Sequence, residues 1–154
     1  MAPTRTELLV AAQAFCDVFA SSKPLDDILT HFSSDPAHPP QAIEHGLPSL
    51  APFLGRAFVG VPAVKQYFTL LADHLTYENM WFSEFVVDPE VKKVSCKGHA
   101  QFTWTSTGLR WDETFSYTLD FDDELKIARY QVWADSGAAY LARTGGPYLL
   151  QTQK

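Results

Sequence analysis

The sequence predicts an α+β fold in which helices pack on one face of a mostly antiparallel sheet. Three observations carry that expectation. Apolar residues recur at helical spacing through most of the chain up to Leu71. Strand-like stretches dominate from Met80 to Trp133. The clearest is Trp111–Phe121, where Trp111, Phe115, Tyr117, Leu119 and Phe121 fall on one face at period two and Asp112, Thr114, Ser116, Thr118 and Asp120 on the other. Glu113 alone breaks the pattern, sitting in register with the apolar face. A carboxylate placed there must be paired, protonated or wet, because an isolated charge in an apolar interior is costly.

The elements follow in order. Thr4-Arg-Thr-Glu7 has the form of a capping box, and Leu8, Ala11, Ala12, Phe15, Val18 and Phe19 continue it as a first helix ending near Ser21. Pro24 suits the first turn of a second helix, with Asp26 and Asp27 against its dipole and Leu25, Ile28, Leu29 and Phe32 buried. Residues 33–41 read as a proline-rich loop, followed by a short strand at Ala42–Gly46. Leu47–Phe58 is apolar, proline-broken and without a period, as befits a passage that crosses a core or rims a cavity. Gly60-Val-Pro62 opens a third helix with Val64, Tyr67, Phe68 and Leu71 inside. A strand over residues 80–88 and a three-strand meander come next. Asp135-Ser136 then caps a last helical segment to Arg143, broken by Gly145-Gly146-Pro147. One domain is expected over residues 1–154, with its core at about 6–143 and a tail at 144–154.

Within the meander, Thr107-Gly108 is read as a two-residue hairpin turn. That turn sets Trp104 opposite Trp111, Phe102 opposite Glu113, Ala100 opposite Phe115 and Gly98 opposite Tyr117. Both alternations then agree, with His99, Gln101, Thr103 and Thr105 outward. In the third strand Arg129 and Gln131 prefer solvent, so Tyr130 and Val132 join the apolar face.

Composition bounds the function. With 46% hydrophobic and 14% aromatic residues the chain is too apolar for disorder and suggests a deep core or an apolar cavity. A net charge of −6 without a basic block argues against nucleic acid or an anionic membrane as partner. Cys16 and Cys96 sit in apolar settings and read as reduced core thiols. The opening residues carry no secretory signal pattern and no apolar run approaches membrane length, so a cytoplasmic protein is the expectation.

The order of these elements resembles the SnoaL-like, or nuclear transport factor two-like, cone-fold superfamily. The resemblance rests on paired N-terminal helices, the Phe53-Leu-Gly-Arg-Ala-Phe-Val-Gly60 lead into the third helix, Thr107-Gly108, Lys126-Ile127 and Trp133-Ala-Asp135. It implies a strongly curved, cone-shaped sheet around an apolar pocket, often in a homodimer, and no single reaction. Limonene-type epoxide hydrolases carry an Arg and two Asp where this chain has about Gly98, Ala100 and Val132, so that triad is absent. The steroid-isomerase pattern places a carboxylate base near Glu44 and His45, but Phe15 and Phe19 occupy the stretch of its helix-one tyrosine.

Glu113 is the first catalytic candidate, since aromatic neighbours would raise its pKa into the range of a general acid. Otherwise it is a buried structural carboxylate. His45 is the second, as a base, with Glu44 beside it; adjacent strand residues point to opposite faces, so only one of the two enters the pocket. Phe102, Trp104, Trp111, Phe115, Tyr117 and Tyr130 are the expected pocket walls, bordered by Ala100, and Arg56 either fixes an acidic group or rims the loop. The histidines show no ligand spacing, so neither metal nor cofactor is expected. The leading expectation is an acid/base enzyme of isomerase, cyclase or dehydratase type acting on a small apolar or aromatic oxygenated metabolite. The alternatives are a carrier or sensor with the same pocket, or a dimeric interaction module. A homodimer is expected through the outward sheet face, where Gln101, Thr103, Ser116 and Thr118 allow close approach.

Overall fold

The computed structural model describes residues 1–146. The expected tail therefore lies outside the described residues beyond Gly146. Helix α1 (Arg5–Ala20) begins at the capping box: Thr4 Oγ1 accepts from Glu7 N at 3.2 Å, and Glu7 Oε2 accepts from Thr4 N at 2.7 Å. Such caps typically contribute about 1 kcal/mol. Its buried stripe of Leu8, Ala12, Phe15, Cys16 and Phe19 faces the sheet. Helix α2 (Leu25–Leu29) is a short turn with Pro24 as N-cap, one position earlier than the sequence suggests. Helix α3 (Val61–His74) starts with Pro62 in its first turn and buries Val64, Tyr67 and Phe68. No helix among the described residues is long and apolar enough to cross a membrane.

Six strands form one sheet: β1 (Gln41–His45), β2 (Ala57–Val59), β3 (Leu75–Asp88), β4 (Lys93–Trp104), β5 (Leu109–Phe121) and β6 (Ile127–Trp133), in the order β2-β1-β6-β5-β4-β3. All neighbours run antiparallel except β1 and β6, which are parallel, with Glu44 beside Val132 and His45 beside Trp133. Two features escape sequence patterning. The unperiodic passage supplies β2, an edge strand on β1. The strand expected at residues 80–88 starts at Leu75 and is interrupted by register shifts between Glu78 and Trp81 and between Ser83 and Val86. Asn79 and Glu84, at φ 54° and 55°, sit inside those shifts. Bulges of this kind bend a strand and strengthen its twist, which curls β3 around the helices and hides its period.

The β4–β5 register is shifted by two residues from the expected one. Trp104 lies opposite Leu109, Phe102 opposite Trp111, Ala100 opposite Glu113, Gly98 opposite Phe115 and Cys96 opposite Tyr117. The connection is four residues, Thr105–Gly108, rather than two. Gly108 at φ 71° returns its N–H to the Trp104 carbonyl at 2.8 Å. Thr107 is drawn out of the ladder, its hydroxyl donating to the Ala142 carbonyl at 2.7 Å. An even shift keeps every side chain on its face, so the inward and outward sets survive the correction.

Helix α4 (Ser136–Thr144) closes one end of the sheet. Asp135 caps it, accepting from Ala138 N at 3.0 Å. Arg143 donates to the carbonyls of Leu50 and Ser49, tying the helix to the passage before β2. The core is dominated by edge-to-face rings, such as Phe15 on Phe19 at 5.1 Å and Phe68 on Tyr130 at 5.4 Å.

Gly98 is required by its opposite number. A Cβ there would stand 2.2 Å from Phe115 Cε2 and Cζ, and Phe115 is buried. Gly98→Ala is expected to lower stability by about 1–3 kcal/mol through overpacking. Adding Phe115→Leu in the double variant should recover part of that loss. Urea unfolding of the three variants checks it; additive losses would show that the two positions do not meet.

Candidate functional site

The helices and the inner face of the sheet enclose a cavity of about 450 Å³. Strand β5 supplies Trp111, Glu113, Phe115 and Tyr117 to its wall, at the alternate positions the pleat allows. Phe102 of β4, Tyr130 and Val132 of β6, and Tyr67 and Phe68 of α3 complete much of the apolar surface. Phe102 and Trp111 stack with centroids 5.6 Å apart. Thus Phe102, Trp111, Glu113, Phe115, Tyr117, Tyr130 and Glu44 all line one space.

Four residues expected in or at this site lie elsewhere. His45 faces the outer side of the sheet, where Nε2 meets Gln131 Oε1 at 2.9 Å and the ring stacks on Trp133 at 4.3 Å. The parallel pairing of β1 with β6 turns Glu44 inward and so turns His45 out. That contact also buries Gln131, which the sequence assigns to solvent. Trp104 is a core residue between Phe53 and His74, its indole N–H donating to Ser106 Oγ at 3.0 Å. The two-residue shift carries it toward the hairpin tip, beyond the cavity. Ala100 is likewise outside the lining, opposite Glu113. Arg56 is exposed, with its guanidinium over Phe58 at 4.4 Å.

Two carboxylates remain. Glu113 Oε1 accepts from Trp111 Nε1 at 3.0 Å and from Asp135 N at 3.2 Å. Burial pushes its pKa up to about 7; the two N–H donors pull it back and the Asp135 charge adds to the rise. Glu44 is only 7% exposed, and its Oε1 accepts from the Tyr67 hydroxyl at 2.7 Å. Burial raises it to about 8; the Tyr67 bond opposes that rise and the charge of Glu113 reinforces it. In both residues every hydrogen bond goes to Oε1. Tyr67, Tyr117 and Tyr130 are held protonated by burial, each well above the ordinary tyrosine range.

Sequence reasoning missed Tyr67 as a partner and Asp135 as more than a cap. Tyr67 was visible only as one of four inward residues of a helix. Asp135 both caps α4 and offers its own N–H to Glu113, a contact between residues 22 apart that no local pattern encodes.

No family model matches the chain, and no curated protein matches it in sequence. Solved structures do match it in shape. A putative isomerase from Bacillus subtilis superposes with a TM-score of 0.75 at 12% identity, over 96% of this chain and 99% of that one. A putative SnoaL-like polyketide cyclase from Jannaschia sp. CCS1 gives 0.74 at 12%, over 96% and 98%. The chain has the SnoaL-like, nuclear transport factor two-like cone fold. The pinacolase BvnE from Penicillium brevicompactum shares this cone fold, with a TM-score of 0.67 at 15% identity over 98% of this chain and 100% of that one. At such identities the cone fold is shared and the side chains of the cavity are this chain's own.

The raised pKa values fix a sign for stability. Each folded-state value lies above the unfolded reference of about 4.3. Between those limits the native state binds more protons than the unfolded chain, so stability falls as pH rises through the folded values. Gln keeps the shape and removes the titration. Glu44→Gln and Glu113→Gln should therefore match the wild type near pH 4 and exceed it in stability near pH 9. Urea melts at both pH values test this, and variants weaker than wild type at pH 9 would mean that the carboxylates are ionised and paired.

Proposed function

We propose that the chain is an enzyme of isomerase, cyclase or dehydratase type that moves a proton within a small, largely apolar oxygenated metabolite held in the cavity. The observation that carries this reading is the presence of two carboxylates in one apolar space, Glu44 buried and Glu113 half-buried, each with its pKa raised toward neutrality by desolvation and that of Glu44 raised further by the charge of Glu113. Groups poised near the working pH are the efficient acids and bases. In this reading Glu44, with the higher pKa, carries the proton and Glu113 is ionised when substrate binds.

The hydrogen bonds support a division of roles. Glu113 receives two N–H donors, which favour its ionised form, so it acts as the base through Oε2. Glu44 has one tyrosine donor, is more fully buried, feels the charge of Glu113 and keeps its proton, so it acts as the acid. His45, facing outward, takes no part. The reaction moves one proton to Glu113 and returns one from Glu44, so the pair ends with its proton exchanged between members and resets through solvent. The shapes shared with a putative isomerase, a putative polyketide cyclase and a pinacolase support this class of chemistry.

The test is turnover of a panel of oxygenated aromatic and terpenoid metabolites followed by mass spectrometry and deuterium incorporation from solvent. Glu113→Gln and Glu44→Gln should each lower the rate by about 10²–10⁴-fold, the usual scale for a lost acid or base. His45→Ala should leave it within a few-fold. Loss of activity in His45→Ala with retention in both Gln variants would reverse the assignment, and tight binding without turnover would make the protein a carrier.

The same reading includes a homodimer through the outward sheet face. Trp81 and Trp133 are 54% and 45% exposed there, flanking the short side chains of Ser116 and Thr114. Light scattering at micromolar concentration should give the mass of two chains, and Ser116→Arg should shift it to one. A single-chain mass for the wild type would remove the dimer from this reading.

A further inference from the structure

The lining of the cavity is unevenly charged. Glu44, Glu113 and Asp135 contribute carboxylates, and Lys23 contributes the single basic side chain among the lining residues. Lys23 sits on the turn between α1 and α2. With Ser22, Ala72, Thr76 and Asp135 it is both exposed and part of the lining, so the cavity opens to solvent at these residues. No carboxylate among the described residues lies within ion-pair distance of Lys23. Asp26 and Asp27 on α2 are exposed and outside the lining, and Asp135 is committed to capping α4.

The turn that presents Lys23 is held in a costly conformation. Ser22 adopts φ 51°, in the left-handed region, where glycine is the favoured residue at the end of a helix. Its N–H goes to the Phe19 carbonyl at 3.0 Å, and the Lys23 N–H to Val18 at 2.9 Å. The Tyr77 hydroxyl reaches across from β3 to the Phe19 carbonyl at 3.0 Å and lies beside the Ser22 side chain. Strain kept by surrounding contacts is a feature of binding sites. Here it holds Ser22 and Lys23 side by side at an exposed part of the lining.

We infer that the cavity takes an aromatic or polycyclic molecule bearing one anionic oxygen group, a carboxylate or sulfonate, which rests on Lys23 at this opening while the apolar body enters. The interior favours that orientation, because an ionised Glu113 repels an anion and the aromatic walls accept an uncharged ring. The charged end stays in contact with water, where it loses little hydration, and the unionised end meets the two carboxylates. This inference rests on the cavity being the ligand site proposed above, and it adds the charge and orientation of the ligand.

Two dyes separate the claims. 8-Anilinonaphthalene-1-sulfonate and N-phenyl-1-naphthylamine share an aromatic body and differ by the sulfonate. The wild type should bind both, with each displacing the other. Lys23→Ala should weaken the sulfonate dye about fivefold, the scale of a partly exposed ion pair, and Lys23→Glu should weaken it further. The neutral dye should change less than twofold in either variant. Both variants should keep the wild-type near-UV circular dichroism, since Lys23 is exposed. Equal effects on the two dyes, or no effect on either, would overturn the inference and leave Lys23 as a helix-end charge, with the cavity still a ligand site. If neither dye binds the wild type, the ligand site itself falls, and the inference with it.

Discussion

The cavity depends on keeping two carboxylates out of water without a cation to match them. Neither Glu44 nor Glu113 has a basic partner; their neighbours are a tyrosine hydroxyl, an indole N–H and one backbone amide. Neutral donors of this kind stabilise a carboxylate less than an ion pair does, so desolvation prevails and both groups hold protons toward neutral pH. The cost falls on folding, and the interlocked rings around Phe15, Tyr117 and Tyr130 are the compensating apolar contacts. Filling either position with an apolar residue would relieve the cost and, under the proposed function, abolish the chemistry, which is the usual opposition between stability and function at a site.

The scaffold meets this requirement through register. Glu44 lies beside Val132, and Val132 beside Tyr117, so one row of the sheet carries all three inward. Glu113 stands four residues from Tyr117 on the same strand and on the same face. The turn into α4 then brings the Asp135 amide back onto Glu113. Curvature is what lets residues on different strands face one space. It comes from the two bulges of β3 and from Gly98, which admits the Phe115 ring where any side chain would collide. A flat sheet with the same sequence of faces would present these groups side by side instead of around a ligand.

Much of this was legible in the chain. Alternation in Trp111–Phe121 marked Glu113 as anomalous, and the capping box, the Asp135 cap and the prolines marked the helices, because those signals are local. The hairpin register was not, since the choice between a two-residue and a four-residue turn depends on Thr107 leaving the ladder for the Ala142 carbonyl, 35 residues away. An error of two residues spared the faces and misplaced only Trp104 and Ala100. Glu44 and His45 posed a different problem. Strand geometry requires that only one enter the cavity, and the deciding contact is a parallel pairing with β6 on the far side of the chain. Imidazole chemistry made His45 attractive; backbone topology assigned it to Trp133 and Gln131.

A cone fold shared at 12–15% identity carries shape and leaves chemistry to the lining. What the lining fixes here is a direction. Glu44 and Glu113 sit among rings, while Lys23, the basic side chain among the described lining residues, is exposed beside a serine in the left-handed region. A cation held at an exposed part of such a lining would order a ligand that carries negative charge at one end before any contact specific to its skeleton is made. It also explains why the acids need no buried counter-charge. A cation inside would pair with Glu113 or Glu44, return its pKa to the ordinary carboxylate range and remove the proton inventory on which the proposed reaction depends. In the proposed mechanism, a positive charge held at the surface would keep recognition and proton transfer from neutralising each other.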